Sequence, residues 1–284
     1  MTSAPVTALP VPSKRPLVTK WLLRLFTIGW LAAIVAVPLG SIVYRTFENG
    51  FAAAMRSLAT GGSGEFLHAL LLTVLVAAIA VPLNTVFGVA SAILLARHRF
   101  PGARLLDAFI DLPVAVSPVV IGLGLVLVYG RTGWIGSWLA ARGIEVIFSV
   151  PGIVIASAFV SIPYVARAVL PVLNEIGTEQ EQAAATLGAR PFATLWRITL
   201  PSIRWALAYG VTLTTARVLG EFGAVSIVSG NITNKTETLT LFVGDQFANF
   251  NQGGAFAGAL ILALMSLAVL GLLSLARRKE ETAP

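Results

Sequence analysis

The run LHALLLTVLVAAIAVPLNTVFGVASAILL, which occupies residues 67–95, contains no Asp, Glu, Lys or Arg. About 20 apolar residues in a helix cover the roughly 30 Å of hydrocarbon in a bilayer. Strands of a membrane barrel would alternate polar and apolar residues, whereas this run is continuously apolar and rich in Leu, Ala and Val. The run therefore predicts one membrane-crossing helix.

The composition of the whole chain extends this prediction. Of 284 residues, 56% are hydrophobic and only 12% are charged, and the mean hydropathy is +0.85. A water-soluble core cannot hide that much apolar surface. The apolar runs long enough to cross are 21–44, 67–95, 107–129, 149–173, 205–229 and 253–276. We therefore predict an all-α, polytopic membrane protein with six transmembrane helices.

Basic residues distinguish the two sides of the predicted bundle, because cytoplasmic loops retain Lys and Arg. With both termini in the cytoplasm, thirteen basic residues fall on that side and five on the other. The cytoplasmic set is Lys14, Arg15, Lys20, Arg24, Arg97, Arg99, Arg104, Arg190, Arg197, Arg204, Arg277, Arg278 and Lys279. The other set is Arg45, Arg56, Arg131, Arg142 and Lys235. This asymmetry accounts for most of the net charge of +7 without a nucleic-acid partner.

The ends of the chain are predicted as short cytoplasmic tails, 1–20 and 277–284. The run 21–44 is too long for the apolar region of a signal peptide and has no small-residue cleavage site. It therefore predicts an uncleaved signal-anchor transmembrane helix.

Prolines inside the spans predict irregular geometry. Pro82, Pro113, Pro118, Pro163 and Pro171 fall inside apolar runs and remove backbone donors, which predicts interruptions or kinks. Residues 230–252 are predicted to form the last loop on the extracytoplasmic side.

Several kinds of chemistry are absent from the sequence. The chain has no Cys and only two His, His68 and His98, which excludes disulfides, thiol catalysis and Cys-ligated metals. It has no G-x-x-x-x-G-K-[ST] phosphate loop, so any ATP would be bound by a separate chain. We therefore expect no catalytic residue, no metal site and no cofactor in this chain.

The stretch QEQAAATLGARPFATLWRITLP, residues 180–201, is a polar, helix-prone insertion between two apolar runs. Thr178 is predicted to cap its first helix, with acidic side chains in the first turn. Gly188 is predicted to end that helix in the left-handed conformation, and Pro191 to begin a second one. Pro201 is predicted to stop the second helix before the fifth span. The charge asymmetry places this segment, 178–201, in the cytoplasm.

This segment resembles the coupling element of ABC importer permeases, which docks into a cleft of a cytoplasmic ATPase. The matching positions of the pattern E-A-A-x3-G-x9-I-x-L-P are Ala183, Ala184, Gly188, Ile198, Leu200 and Pro201. The chain departs from the pattern at Gln182, where the family has Glu, while Glu181 lies one residue earlier. These residues together form the ATPase-coupling site that the resemblance implies, within an ABC transmembrane type-1 domain at 67–276 and a type I importer fold.

Further motifs resemble the sulfate, thiosulfate and molybdate permeases. They are the stretches 111–113, 116–123, 148–152 and 220–225, and the run 203–207 with Arg217 is similar to the W-type sulfate/thiosulfate subunit. The resemblance implies a subunit of an ATP-driven sulfate/thiosulfate importer in the cytoplasmic membrane of a prokaryote. The implied partners are a second, T-type permease, two ATP-binding subunits and an extracytoplasmic binding protein.

Arg217 and Glu221 are four residues apart in the fifth span, so they share a helix face and can pair inside the membrane. The pair is compatible with two interpretations, a lining of the translocation path or a buried structural link. Arg167, near the cytoplasmic end of the fourth span, is interpreted as a side chain that reaches to the interface.

Three alternatives remain open. A molybdate or tungstate permease would share the stretches 111–113 and 220–223. An ion-coupled carrier would also be polytopic, but it would have no use for the Ala-Ala-Gly docking element. A membrane-embedded enzyme would need clustered His, Asp or Glu in the spans, which offer few.

Overall fold

The computed structural model describes residues 17–58 and 64–281, with side chains for 21–58 and 64–275. The helices in these ranges are α1 (Leu17–Phe47), α2 (Phe51–Leu58), α3 (Glu65–Arg97), α4 (Ala103–Ala115), α5 (Pro118–Tyr129), α6 (Gly136–Ala140), α7 (Val150–Ile176), α8 (Glu179–Thr186), α9 (Pro191–Thr194), α10 (Leu200–Leu219), α11 (Gly223–Val228), α12 (Leu239–Ala248) and α13 (Gln252–Glu281). A π-helical turn, Leu195–Thr199, joins α9 to α10. Since no strand occurs in these ranges, the all-helical prediction is confirmed for them.

Most of the two predicted tails lies outside the described residues. This applies to 1–16 and 282–284, and to the side chains of Lys20, Arg277, Arg278 and Lys279.

Four helices are each long and apolar enough to cross a membrane: α1 from Trp21, α3, α7, and α13 as far as Leu275. The pair α4 and α5 passes the same test when taken together. Helix α10 has 20 residues and is therefore about 30 Å long, but Arg204, Arg217 and several threonines make it less apolar. A polytopic membrane protein is confirmed, and the count of six crossings stays a prediction.

The prediction of one helix over 107–129 is wrong. Helix α4 begins earlier, at Ala103, and the axis bends by 115° between α4 and α5. The cause is Pro118, which has no N–H and disfavours helical backbone at the preceding residue. Val116 and Ser117 accordingly have ψ values of 137° and 136°.

The prediction of one span over 205–229 and a loop over 230–252 is also wrong in part. Helix α10 ends at Leu219, and residues 220–222 separate it from the short α11. The predicted loop contains α12, whose Leu239 and Phe242 are fully buried. The Leu239 N–H donates to Thr73 Oγ1 of α3 at 2.8 Å, so this helix belongs to the folded body.

Four of the five prolines do not interrupt a helix. Pro82 lies inside a continuous α3, Pro113 inside a continuous α4, and Pro163 and Pro171 inside a continuous α7. Proline is tolerated inside membrane helices where other groups satisfy the carbonyls that it leaves free.

The centre of the molecule is built from α3, α7 and α10, with the most extensive contact between α3 and α7. Val165 of α7 lies between two glycines. A Cβ on Gly88 would stand 2.7 Å from Val165 Cβ, and one on Gly210 would stand 2.9 Å from Val165 Cα. Small residues are needed at such points because close backbone approach holds membrane helices together.

The two ends of the bundle are distinct. Helices α3 and α7 both end where residues 178–199 connect α7 to α10, and we call this the segment end. Helix α2 and the first turn of α13 meet at the opposite end, where Ser57 lies beside Gly253. Helices α1 and α13 therefore have their outer termini, Leu17 and Glu281, toward the segment end.

Candidate functional site: the 178–201 segment and the Arg217 region

The predicted helix–glycine–helix arrangement of the segment is confirmed. Helix α8 ends at Thr186, Gly188 has a φ of +82°, and Pro191 is the first residue of α9. A left-handed φ suits glycine because it has no Cβ. Thr178 occupies the N-cap position without a side-chain cap bond. Its Oγ1 instead accepts a hydrogen bond from Gln182 Nε2 at 2.9 Å.

Pro201 does not stop the second helix, contrary to the prediction. The chain passes from α9 through the π-helical turn directly into α10, where Pro201 is the second residue. Within the turn, the Leu200 N–H bonds to the carbonyl of Leu195, five residues back. A π turn shifts the hydrogen-bond register by one residue, and it lies where the missing N–H of proline would otherwise break the ladder. The segment and α10 are therefore one connected helical element.

Helix α8 presents an open, small-residue surface. None of its residues is buried, and Gln182 and Ala183 are exposed while Ala184 is partly covered. Leu187, next to Gly188, is 89% exposed. A flat face of alanines with one projecting leucine permits close approach by another protein.

Two further predicted coupling residues lie on the bundle side of the segment, while Pro201 is exposed. Ile198 and Leu200 are partly buried, and Leu200 packs against the cluster that contains Val165 and Ile203. These residues anchor the second half of the segment to the transmembrane core.

Glu181 does not face outward with Gln182. Its carboxylate pairs with Arg97 at the end of α3, with 2.9 Å between Arg97 Nε and Glu181 Oε2, and the two side chains are 10% and 23% exposed. Thr199 Oγ1 donates to Glu181 Oε1 at 2.9 Å. The same guanidinium donates to the carbonyl oxygens of Leu173 and Gly177 at the end of α7, at 2.9 and 2.7 Å.

We call Arg97, Glu181 and Thr199, with these two carbonyls, the Arg97 tie. It joins α3, α7, α8 and the π-helical turn through one buried cation. Charge-assisted hydrogen bonds of this kind are stronger than neutral ones. Glu181 therefore pairs within the chain, whereas the side chain of Gln182 is exposed on α8. Sequence reasoning missed Arg97 and Thr199, because no local pattern pairs position 97 with a residue 84 positions later.

Arg217 and Glu221 form the expected ion pair. Arg217 Nη1 lies 2.9 Å from Glu221 Oε2, and the side chains are 30% and 1% exposed. Glu221 follows the last residue of α10 by two positions, and its Oε1 accepts from the N–H of Ala224 at 2.8 Å. The Glu221 carbonyl oxygen accepts from Thr240 Oγ1 at 2.9 Å. Glu221 is therefore fixed by α11 and α12, and it holds Arg217 from the buried side.

Arg167, predicted to reach to the interface, is paired with two acids of α4. Its Nε and Nη2 donate to the two carboxylate oxygens of Asp111 at 2.7 and 2.6 Å. Nη2 also lies 2.8 Å from Asp107 Oδ1. The bidentate geometry is typical of Arg with carboxylates, and it ties α4 to α7.

The chain matches the family model described as "Binding-protein-dependent transport system inner membrane component" over residues 84–280. The match covers more than half of the chain and includes the whole 178–201 segment and the Arg217 region. The chain belongs to this family. It is a membrane subunit of a transport system and not an enzyme.

Individual relatives are similar over nearly their full length. The chain is 49% identical over 251 residues to the protein named "Sulfate transport system permease protein CysW" of Synechocystis sp., covering 88% of this chain and 90% of that one. It is 43% identical over 264 residues to the protein of the same name from Escherichia coli K12, covering 92% and 89%. It is 39% identical over 241 residues to "Sulfate transport system permease protein CysT" of E. coli K12, covering 85% and 86%.

Solved structures show the same fold at low sequence identity. A chain of a bacterial alginate ABC transporter, in complex with an alginate-bound periplasmic protein, superposes with a TM-score of 0.78 at 17% identity. The match covers 96% of this chain and 99% of that one. The type I importer fold expected from the sequence is thus supported by direct structural likeness.

Proposed function

We propose that this chain is the W-type permease subunit of an ATP-driven importer of sulfate and thiosulfate. The observation that carries the proposal is the 49% identity, over 88% of the chain, to a protein named as a sulfate permease of this type. The lower identity to a T-type sulfate permease, 39%, favours the W-type role.

The proposed assembly contains two different permease chains. The match to both W-type and T-type relatives supports a second permease as partner. The family description supports an extracytoplasmic binding protein that delivers the anion. Two ATP-binding subunits complete the proposal, because the chain has no phosphate loop of its own.

The segment end is proposed to face the cytoplasm of a prokaryotic cell, with both termini on that side. Arg97, Arg99, Arg190 and Arg197 cluster at this end, as the positive-inside rule requires. The ATPase would then dock on the exposed face of α8, with Gln182, Ala183 and Leu187 in contact and Gly188 at the hinge.

Motion of the docked ATPase would reach the membrane through the remaining coupling residues. Glu181 connects the segment to α3 and α7, while Ile198, Leu200 and Pro201 connect it to α10 without a break. Arg217 lies at the far end of α10, where Glu221 holds it, and is proposed to line the path of the anion. The rocking of one part of a transporter against another around a fixed site is the usual route of alternating access.

Affinity purification of the chain from its native membranes tests the assembly. We expect a second permease, an ATPase and a sulfate-binding protein to co-purify. Recovery of a single ATPase-free chain, or of a molybdate-binding protein in place of the sulfate-binding one, would contradict the proposal.

A further inference from the structure

A cavity of about 390 Å³ opens at the break between α4 and α5. Its lining comes from three elements: the break itself, with Ser117, helix α7, with Val160 and Tyr164, and helix α10, with Arg217. We call it the break cavity. Arg217 is the one charged residue among its described lining residues.

The break cavity faces water or protein, and not lipid. Residues 114–117 contain the irregular backbone of the break, and Val114, Ala115 and Ser117 are exposed in the isolated chain. Backbone polar groups without helical partners are tolerated at membrane depth only where protein or a water-filled cavity covers them. Discontinuous helices of this kind border the substrate sites of many transporters.

The position of Arg217 makes it a donor toward this cavity. Glu221 is buried and engages Nη1 from behind, and the side chain of Arg217 remains 30% exposed. A guanidinium has five N–H donors in a planar fork, so one partner leaves donors for a ligand. The carboxylate lowers the cost of placing the cation in the membrane without using up its donors.

Tyr164 adds a neutral donor on the same side. Val160, Tyr164 and Arg167 follow at intervals of four and three residues on α7 and therefore share one face. Arg167 is already engaged by Asp107 and Asp111. The cation that remains available to a ligand at the cavity is Arg217.

We propose that the break cavity is a transient contact site for the transported oxyanion, where the Arg217 guanidinium and the Tyr164 hydroxyl donate hydrogen bonds to its oxygens. This inference rests on the proposed function and assigns the substrate contact within it. Ser117, at the mouth of the cavity, supplies a further hydroxyl. Glu221 is a positioning residue, since it holds Arg217 and does not touch the anion.

The charge balance of the site suits transport. Conduction requires binding that is favourable enough for entry and weak enough for release. An isolated Arg would hold a divalent anion tightly, whereas the Arg217–Glu221 pair is neutral overall and offers directional donors. Such a site recognises oxygen acceptors without trapping the ligand.

The test compares sulfate with thiosulfate in proteoliposomes that contain the complete complex, supplied with saturating loaded binding protein. Thiosulfate has a sulfur atom in place of one sulfate oxygen, and sulfur is the poorer hydrogen-bond acceptor. Removing a hydrogen-bond donor from the protein therefore lowers sulfate uptake more than thiosulfate uptake. We expect Tyr164→Phe to slow uptake of both anions and to lower the ratio of sulfate to thiosulfate uptake by up to about tenfold, the full effect of one hydrogen bond. Arg217→Lys, which keeps the charge but loses the fork, is expected to lower it at least as much.

The matched control is Tyr209→Phe, which removes the same hydroxyl from an exposed tyrosine of α10 outside the cavity lining. We expect it to leave the ratio unchanged. If Tyr164→Phe assembles like the wild type and its ratio of sulfate to thiosulfate uptake is unchanged, the inference is overturned. If Arg217→Lys does not assemble, the result for Tyr164→Phe alone decides. A wild-type complex that transports neither anion would instead overturn the proposed function.

Discussion

Glu237 is a buried carboxyl in an environment that favours its neutral form. It lies between α11 and α12, outside the membrane-spanning helices, and is 1% exposed. Neither carboxylate oxygen has a hydrogen-bond partner in the described part of the chain. Burial, followed by the nearby charges of Glu65 and Asp245, raises the pKa of Glu237 from 4.5 to about 7. The protonated form is therefore favoured in the folded protein.

This residue predicts a dependence of stability on pH. Because the pKa is higher in the folded than in the unfolded chain, the stabilisation is complete below about pH 4.5 and is lost as the pH rises to about 7. The loss is on the order of 3 kcal/mol if the whole difference in pKa acts on folding. Glu237→Gln, which is neutral at every pH, should remove this dependence and stabilise the protein at pH 8.

Thermal unfolding of the purified protein in detergent, between pH 4.5 and 8, measures the effect. Glu179→Gln is the control, because Glu179 is an exposed acid on α8. The interpretation would be contradicted if the unfolding temperature of the wild type does not fall with rising pH, or if that of Glu237→Gln falls as steeply.

At the scale of elements, the 178–201 segment is rigidly joined to the bundle. The Arg97 tie fixes α8 to the ends of α3 and α7, while the π-helical turn makes α9 and α10 continuous. A force on α8 therefore acts on three core helices together. The departure at Gln182 is compatible with docking, because Glu181 stabilises the segment and α8 offers Gln182 and Ala183 on its exposed face.

The tie predicts a defect in coupling when it is weakened. Glu181→Gln removes the anionic partner of Arg97 and leaves the guanidinium with a neutral amide oxygen as acceptor, a loss of about 1 kcal/mol or more. We expect the complex to assemble and hydrolyse ATP, but with several-fold less sulfate taken up per ATP.

Uptake and phosphate release measured in the same proteoliposomes give this ratio. Glu175→Gln serves as the matched control, since it removes an exposed acid of α7 that does not pair with Arg97 and lies outside the face of α8, and its ratio should remain that of the wild type. Equal ratios in Glu181→Gln and Glu175→Gln would refute a mechanical role for the tie.

The sequence predicts those features that neighbouring residues along the chain determine. Gly188 and Pro191 set the bend of the segment through their own backbone, and Arg217 and Glu221 follow from helical spacing. The break at Ser117 lies directly before Pro118, whereas Pro82 lies inside a continuous α3, so proline alone does not predict where a span breaks. The Arg97–Glu181 contact and the burial of α12 arise from long-range packing, and no periodicity in the sequence signals them.

At the scale of the whole molecule, the membrane class followed from composition alone. The fold adds a compact centre of α3, α7 and α10, in which Gly88 and Gly210 allow close approach to Val165. Around it lie two discontinuities, between α4 and α5 and between α10 and α11. The break cavity opens at the first of them, and Glu221 at the second holds Arg217, so the regions most altered from ideal helices surround the proposed path. The Arg97 tie lies at the other end of the same three core helices.

The central claim is that this chain carries sulfate in a complex driven by a separate ATPase. Its most direct test is ATP-dependent accumulation of labelled sulfate in proteoliposomes that contain both permeases and the ATPase, with loaded binding protein outside. We predict accumulation that requires ATP, the binding protein and this chain. Labelled molybdate accumulating in place of sulfate, or sulfate entry that continues without this chain, would contradict the account.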